Sequence, residues 1–116
     1  MRFGFPKRDR IRKSSEFRRV FGKRRIFCTE HLKLYVLKSR ESRLGLAVSK
    51  RLGKAVKRNR IKRILREIFR KNREKFDYQA DIIIKPEPSF SMLEYKEAER
   101  VVCALFKQAG VLRRDD

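Results

Sequence analysis

Between Lys50 and Arg73 the chain reads KRLGKAVKRNRIKRILREIFRKNR, twelve Lys and Arg against one acid, Glu67. That stretch carries +11 of the +20 formal charge of the whole sequence. Cations at this density suit polyanions, because guanidinium and ammonium groups neutralise phosphates and release their counterions. Side chains for bond breaking are sparse by contrast. A two-metal nuclease needs clustered carboxylates, and a general acid–base nuclease commonly uses a His pair. Here the acids of the basic two-thirds stand singly (Asp9, Glu16, Glu30, Glu41, Glu67), and His31 is the one histidine, expected on the surface beside Glu30. Cys28 and Cys103 have no second Cys or His at metal-ligand spacing and read as reduced thiols. Arg51-Leu52-Gly53-Lys54 lacks the first glycine and the Ser/Thr of a phosphate loop, which excludes an ATPase of that type.

The elements that must position these groups follow from periodicity. Ile61, Ile64, Leu65, Ile68 and Phe69 recur at helical spacing, so a helix is expected from around Lys54 to Lys57 as far as Asn72. At about 100° per residue, Asn59, Arg63, Arg66 and Arg70 point away from that stripe, with Lys62 and Arg73 at its flank. Glu67, four residues from both Arg63 and Lys71, relieves part of the repulsion along this face; a bound polyanion best explains the rest.

Upstream, Ser14 or Ser15 is expected to cap a short helix ending near Gly22, with Glu16 in its first turn. Phe17, Val20 and Phe21 share one face of it. Two readings stay open there: the rings are core, or they border a groove in which RNA bases stack on them. Leu32–Lys38 and Arg43–Lys50 read as strands joined by a hairpin connection at Ser39-Arg40-Glu41-Ser42, with residues 26–31 adding a short strand before them. On the second strand Leu44, Leu46 and Val48 share one face, and the small residues Gly45, Ala47 and Ser49 share the other. That low face is either a trough bordered by Tyr35 or the seat of a closely packed element. Gly53 ends the strand. Tyr78–Lys85, closed by Pro86 and Pro88, reads as a buried strand and completes a βαβ unit with the basic helix. The last helix is expected to open on a Ser91–Glu94 capping box and to stop at Gly110, with Tyr95, Ala98, Val101, Val102, Leu105, Phe106 and Ala109 on its buried side.

At 116 residues the chain is expected to form a single domain, 1–116, of α/β type: an α+β-like two-layer sandwich with about four strands and three helices. Residues 1–13 are expected to be a mobile basic arm that orders on binding. No apolar run approaches the ~20 residues of a membrane span, and the N-terminus lacks the apolar core of a signal peptide, so a cytoplasmic location is expected. The sequence pI near 11.0 points to nucleic acid or an anionic membrane surface. Residues 1–25 hold 11 bases and 2 acids, whereas 74–116 hold 7 bases and 9 acids, placing the binding surface in the first two-thirds. The reading is a compact RNA-binding module without its own catalytic apparatus. Its rivals are a ribosomal or chaperone-like RNA binder, a duplex-DNA binder using the basic helix in a major groove, and a protein-only nuclease.

Arg43-Leu44-Gly45-Leu46-Ala47-Val48-Ser49-Lys50-Arg51, then Gly53-Lys54-Ala55-Val56 and Arg58-Asn59-Arg60-Ile61-Lys62-Arg63 with Leu65-Arg66-Glu67, closely resembles the signature of the protein subunit of bacterial ribonuclease P. Ser15-Glu16-Phe17, Val20-Phe21, Leu34-Tyr35 and Asp81–Ile84 extend the match over most of the chain. The resemblance implies a ribonucleoprotein endonuclease in which a magnesium-dependent catalytic RNA removes the 5′ leader of precursor tRNA. The small basic subunit binds both RNAs and needs no organic cofactor, and no obligate protein partner or membrane is implied. It also implies that Lys54, Arg58, Asn59, Arg60, Lys62, Arg63, Arg66 and Arg70 lie against the catalytic RNA, and that Phe17, Phe21, Tyr35, Ala47, Ser49 and Lys50 line the leader groove. A left-handed βαβ crossover is implied as well, against the usual rule. Two departures stand out: Lys85-Pro86 replaces an arginine the family often has after its groove strand, and the turn Gly22-Lys23-Arg24-Arg25 is short.

Overall fold

The structure is a computed structural model and describes residues 7–23 and 25–113. In chain order its main elements are helix α1 (Ser14–Lys23), strands β1 (Arg25–Cys28), β2 (Leu32–Lys38) and β3 (Arg43–Leu46), helix α2 (Ala55–Asn72), strand β4 (Ala80–Pro86) and helix α3 (Tyr95–Gln108). The four strands form one mixed sheet in the order β1-β2-β4-β3. β4 runs antiparallel to β2 and parallel to β3, so β3-α2-β4 is the expected βαβ unit.

Strand order corrects the expected hairpin. Ser39–Ser42 does not join paired strands, because β4 lies between β2 and β3. The physical reason is the composition of β4, ADIIIKP, whose run from Ala80 to Ile84 is buried on both faces and suits the interior of a sheet covered on both sides rather than its edge. The connection passes over the start of β4 and is tied to it. Ser39 N–H donates to the Gln79 carbonyl at 3.0 Å, the Ser42 hydroxyl bonds the Gln79 side chain, and Ala80 N–H donates to Ser42 Oγ at 3.3 Å. β3 is also shorter than expected, although Ala47 N–H still reaches the Ile84 carbonyl at 3.0 Å.

One face of the sheet carries the main core. Leu32, Leu34, Val36, Leu44, Ile82 and Ile84 pack there against the apolar stripes of α2 and α3, with Phe69, Phe76 and Phe106 meeting edge to face at centroid separations of 5.8 and 5.3 Å. The opposite face carries a smaller core of Ile11, Val20 and Ile83 beneath α1.

Termini of the elements differ from the sequence-based expectation in instructive ways. Ser14 is the first residue of α1 rather than its cap; Glu16 Oε1 instead reaches back to the N–H groups of Arg12 and Lys13, both at 3.4 Å. The Ser91–Glu94 stretch does not open α3. Residues Pro88–Met92 form a 3-10 turn, and the cap is Glu94, in a reciprocal capping box with Glu97. Gly110 ends α3 at φ 83°, as its type allows. Residues 1–6 of the expected arm lie outside the described residues, as does Arg24 in the short turn. The arm's end is packed: Ile11 is 4% exposed, its N–H donates to the Leu44 carbonyl at 3.0 Å, and Asp9 pairs with Arg73 at 2.9 Å. An apolar side chain at 11 and a free edge on β3 are enough to hold that segment down.

Candidate nucleic-acid interface

Two basic surfaces emerge, one on each layer. On α2, Asn59, Arg60, Arg63 and Arg70 are exposed, and Lys62 and Arg66 are half-buried, because Ile61, Leu65, Ile68 and Phe69 turn the opposite side into the core. The first turn of α2 contains no acid, and Lys54, Lys57 and Arg58 crowd it. Cations at the positive end of a helix dipole are unfavourable there, so this end is built for an anion to relieve. Arg58 is braced by donation from Nε to the Gly53 carbonyl at 3.0 Å.

Glu67 relieves less of the row than its spacing suggested. It takes Arg70 in a two-pronged pair at 3.1 and 2.7 Å rather than Arg63, while Lys71 turns to Glu99 at 3.1 Å. Among the described residues no carboxylate pairs with Arg60, Lys62, Arg63 or Arg66. Burial, followed by the charge of Arg10, pulls the Arg66 guanidinium below its ordinary value. Arg10 thus joins the cationic side of α2, an addition that sequence periodicity could not supply because it comes from the segment alongside β3.

The second surface lies on the α1 side of the sheet. Register places Tyr35, Ile83 and Gly45 in one row, so Tyr35 does point to the same face as the small residues of β3. Phe17, Phe21 and Tyr35 are all half-buried and form a chain of rings, 6.1 Å between the phenylalanines and 4.8 Å, edge to face, from Phe21 to Tyr35. The core reading of these rings holds in part: their inner edges complete the small core, and their outer parts stay accessible.

At Gly45 the second of the two alternatives holds, a closely packed element rather than an open trough. A methyl group there would lie 3.0 Å from Phe17 Cζ, 3.1 Å from Ile11 Cβ and 3.2 Å from Ile83 Cγ1, so the glycine is the seat of the Phe17 ring. The accessible floor shifts to Ala47 and Ser49, both half-buried, with exposed Lys50 at their end. Lys33 and Lys85 face each other directly across β2 and β4, on the same side as Tyr35. Two like charges in register are destabilising unless an anion lies between them. Lys85 was anticipated at this rim; Lys33 was missed, since only register reveals it.

A buried ionic group joins α1 to the sheet beside these rings. Asp81 is 0% exposed and accepts from Arg43 Nε at 3.0 Å and Nη2 at 2.9 Å, while Arg43 Nη1 donates to Glu16 Oε2 at 2.7 Å. The bond from Arg43 holds the Glu16 carboxyl below the ordinary glutamate value, and Asp81 first, then Glu16, raise the Arg43 guanidinium. No group of three or more His, Cys, Asp or Glu capable of holding a metal ion occurs among the described residues. His31 is half-buried, with Nδ1 2.8 Å from Ser89 Oγ. Among the described residues no helix is long and apolar enough to cross a membrane.

Comparison with known proteins places the chain. The family model described as Ribonuclease P matches residues 5–110. The "Ribonuclease P protein component" of Dictyoglomus turgidum is 32% identical over 114 residues, covering 95% of this chain and 96% of that protein. Its counterpart from Clostridium botulinum strain Loch Maree is 38% identical over 108 residues, covering 90% and 97%. Among solved structures, a Staphylococcus aureus RNase P protein mutant described as defective in mRNA degradation superposes with TM-score 0.86 at 29% identity, covering 91% of this chain and 92% of that one. The RNase P protein from Thermotoga maritima superposes with TM-score 0.78 at 28% identity, covering 85% and 96%. With its four-stranded mixed sheet, three helices and basic α2 face, the chain belongs to the ribonuclease P protein family.

Proposed function

We propose that this chain is the protein component of a ribonuclease P ribonucleoprotein acting in tRNA processing, with a division of labour between its two basic surfaces. The α2 face, through Lys54, Arg58, Asn59, Arg60, Lys62, Arg63, Arg66 and Arg70, docks on the catalytic RNA. The α1–sheet groove, through Phe17, Phe21, Tyr35, Ala47, Ser49 and Lys50, takes the single-stranded 5′ leader of precursor tRNA. The observation that carries this reading is the pairing of an accessible aromatic row with facing lysines on one layer and a carboxylate-poor arginine face on the other. Aromatic faces stack any base, at ~1 to 3 kcal/mol per base, and lysines track a backbone, which suits leaders of varied sequence.

Magnesium belongs with the RNA in this scheme: a chain of net charge +20 repels a divalent cation. The protein's own contribution is to neutralise phosphates where the RNA folds against α2 and to hold the leader, raising affinity for substrate over product. The test is reconstitution on precursor tRNA at reduced magnesium with RNA alone, protein alone and both. Cleavage at the mature 5′ end should be strong only with both; absence of stimulation would instead favour a ribosomal or chaperone-like binder, and cleavage by protein alone a protein nuclease.

A further inference from the structure

We propose that Arg43, bridging Asp81 and Glu16, is a positioning residue for leader recognition: it fixes α1 against the sheet and thereby sets the Phe17–Phe21–Tyr35 row. This rests on the groove reading above. α1 is only ten residues long, and Val20 is its one fully buried side chain among the described residues, so apolar packing alone holds it weakly. The ionic bridge supplies what packing lacks. Asp81 on β4 is wholly buried and grips Arg43 on neighbouring β3 with two bonds of 3.0 and 2.9 Å. The remaining arm of the same guanidinium holds Glu16 at 2.7 Å, directly before Phe17 in α1. Arg19, one turn on, approaches Asp81 at 3.6 Å from a half-exposed position and adds a looser second tie.

A fork of fixed geometry can hold two carboxylates at once; an ammonium cannot reproduce it. Because Glu16 adjoins Phe17, and Phe17 seats on Gly45, slackening the bridge lets the ring row drift without touching α2 or the main core. The contact with leader bases then weakens while docking to the catalytic RNA does not.

Removing the Arg43 side chain outright would orphan Asp81 and threaten folding, so the variants are Glu16→Gln and Arg43→Lys. Gln keeps the reach-back to the helix N-terminus but loses the charged bond to Arg43. In the reconstituted holoenzyme, the precursor-over-mature tRNA affinity ratio should fall by about fivefold for Glu16→Gln, the factor that about 1 kcal/mol represents, and further for Arg43→Lys. The loss should appear as a raised KM for precursor with kcat, mature tRNA affinity and assembly with the catalytic RNA unchanged. The double variant should lose no more than the larger single one, since both cut the same bridge. An unchanged affinity ratio in both variants overturns the proposal, as does a loss shared equally with mature tRNA and RNA assembly, which marks a general folding effect. A wild-type holoenzyme with no preference for precursor would instead overturn the groove reading, and the proposal with it.

Discussion

Replacing Gly45 with Ala probes the groove from beneath. The added methyl would lie 3.0, 3.1 and 3.2 Å from Phe17 Cζ, Ile11 Cβ and Ile83 Cγ1, three contacts tighter than ordinary van der Waals spacing. Ile83 sits in the central strand, and the Ile11 backbone is bonded to Leu44, so neither yields readily. Phe17 is half-exposed and gives way, its ring tilting outward by a few tenths of an ångström. Overpacking of this kind costs roughly 1 to 3 kcal/mol. The loss of glycine's freedom in the unfolded chain returns about 0.4 to 1 kcal/mol. The net expectation is destabilisation of about 1 kcal/mol, near 4 °C in Tm for a domain of this size. Urea denaturation measures the first effect, and precursor against mature tRNA binding by the reconstituted holoenzyme measures the second, where precursor affinity alone should drop. A variant as stable as the parent with undiminished precursor binding would refute the seating of Phe17 on Gly45.

Other perturbations separate the layers. Arg63→Ala with Arg66→Ala should weaken assembly with the catalytic RNA and lower the slope of log affinity against log salt by roughly two phosphate contacts; an unchanged slope would mean that these arginines face solvent. Phe69→Ala, at a site 0% exposed and edge to face with Phe76, should cost about 3 to 5 kcal/mol of folding stability by urea denaturation, and a loss below about 1 kcal/mol would contradict its place in the core. The Glu16 carboxyl is held below its ordinary value of 4.5, chiefly by Arg43, so its stabilising contribution is full above that pH and is lost as pH falls through the lower folded value. Acid titration of stability should therefore show a decline below about pH 4.5 that is shallower in Glu16→Gln, and an identical acid limb would rule the bridge out as its source.

How much was legible in the chain depends on whether a signal was local. The α2 stripe at Ile61, Leu65 and Ile68, the buried run Ile82–Ile84 and the stop at Gly110 are local patterns, and they stand where periodicity and residue type put them. Strand order is not local. The hairpin expected at Ser39–Ser42 failed because a sheet-centre strand arriving thirty-odd residues later outcompetes the neighbour in sequence. The same holds for the site. The arginine face of α2 could be counted out at 100° per residue, but the Lys33–Lys85 pair, the Arg43 bridge and the covering of Gly45 are products of register and of α1 packing. Ile11 was passed over because a single apolar residue in a basic stretch has no periodic partner to announce it.

In the proposed function, substrate recognition belongs to the ring row and RNA docking to α2. This division is tested most directly by the ratio of precursor to mature tRNA affinity for holoenzyme assembled with Phe17→Ala or Tyr35→Ala protein. Each ring removed should cost on the order of 1 kcal/mol or more of precursor binding, about fivefold or greater, with mature tRNA binding nearly unchanged. Equal losses for both substrates, or no loss for either, would contradict it.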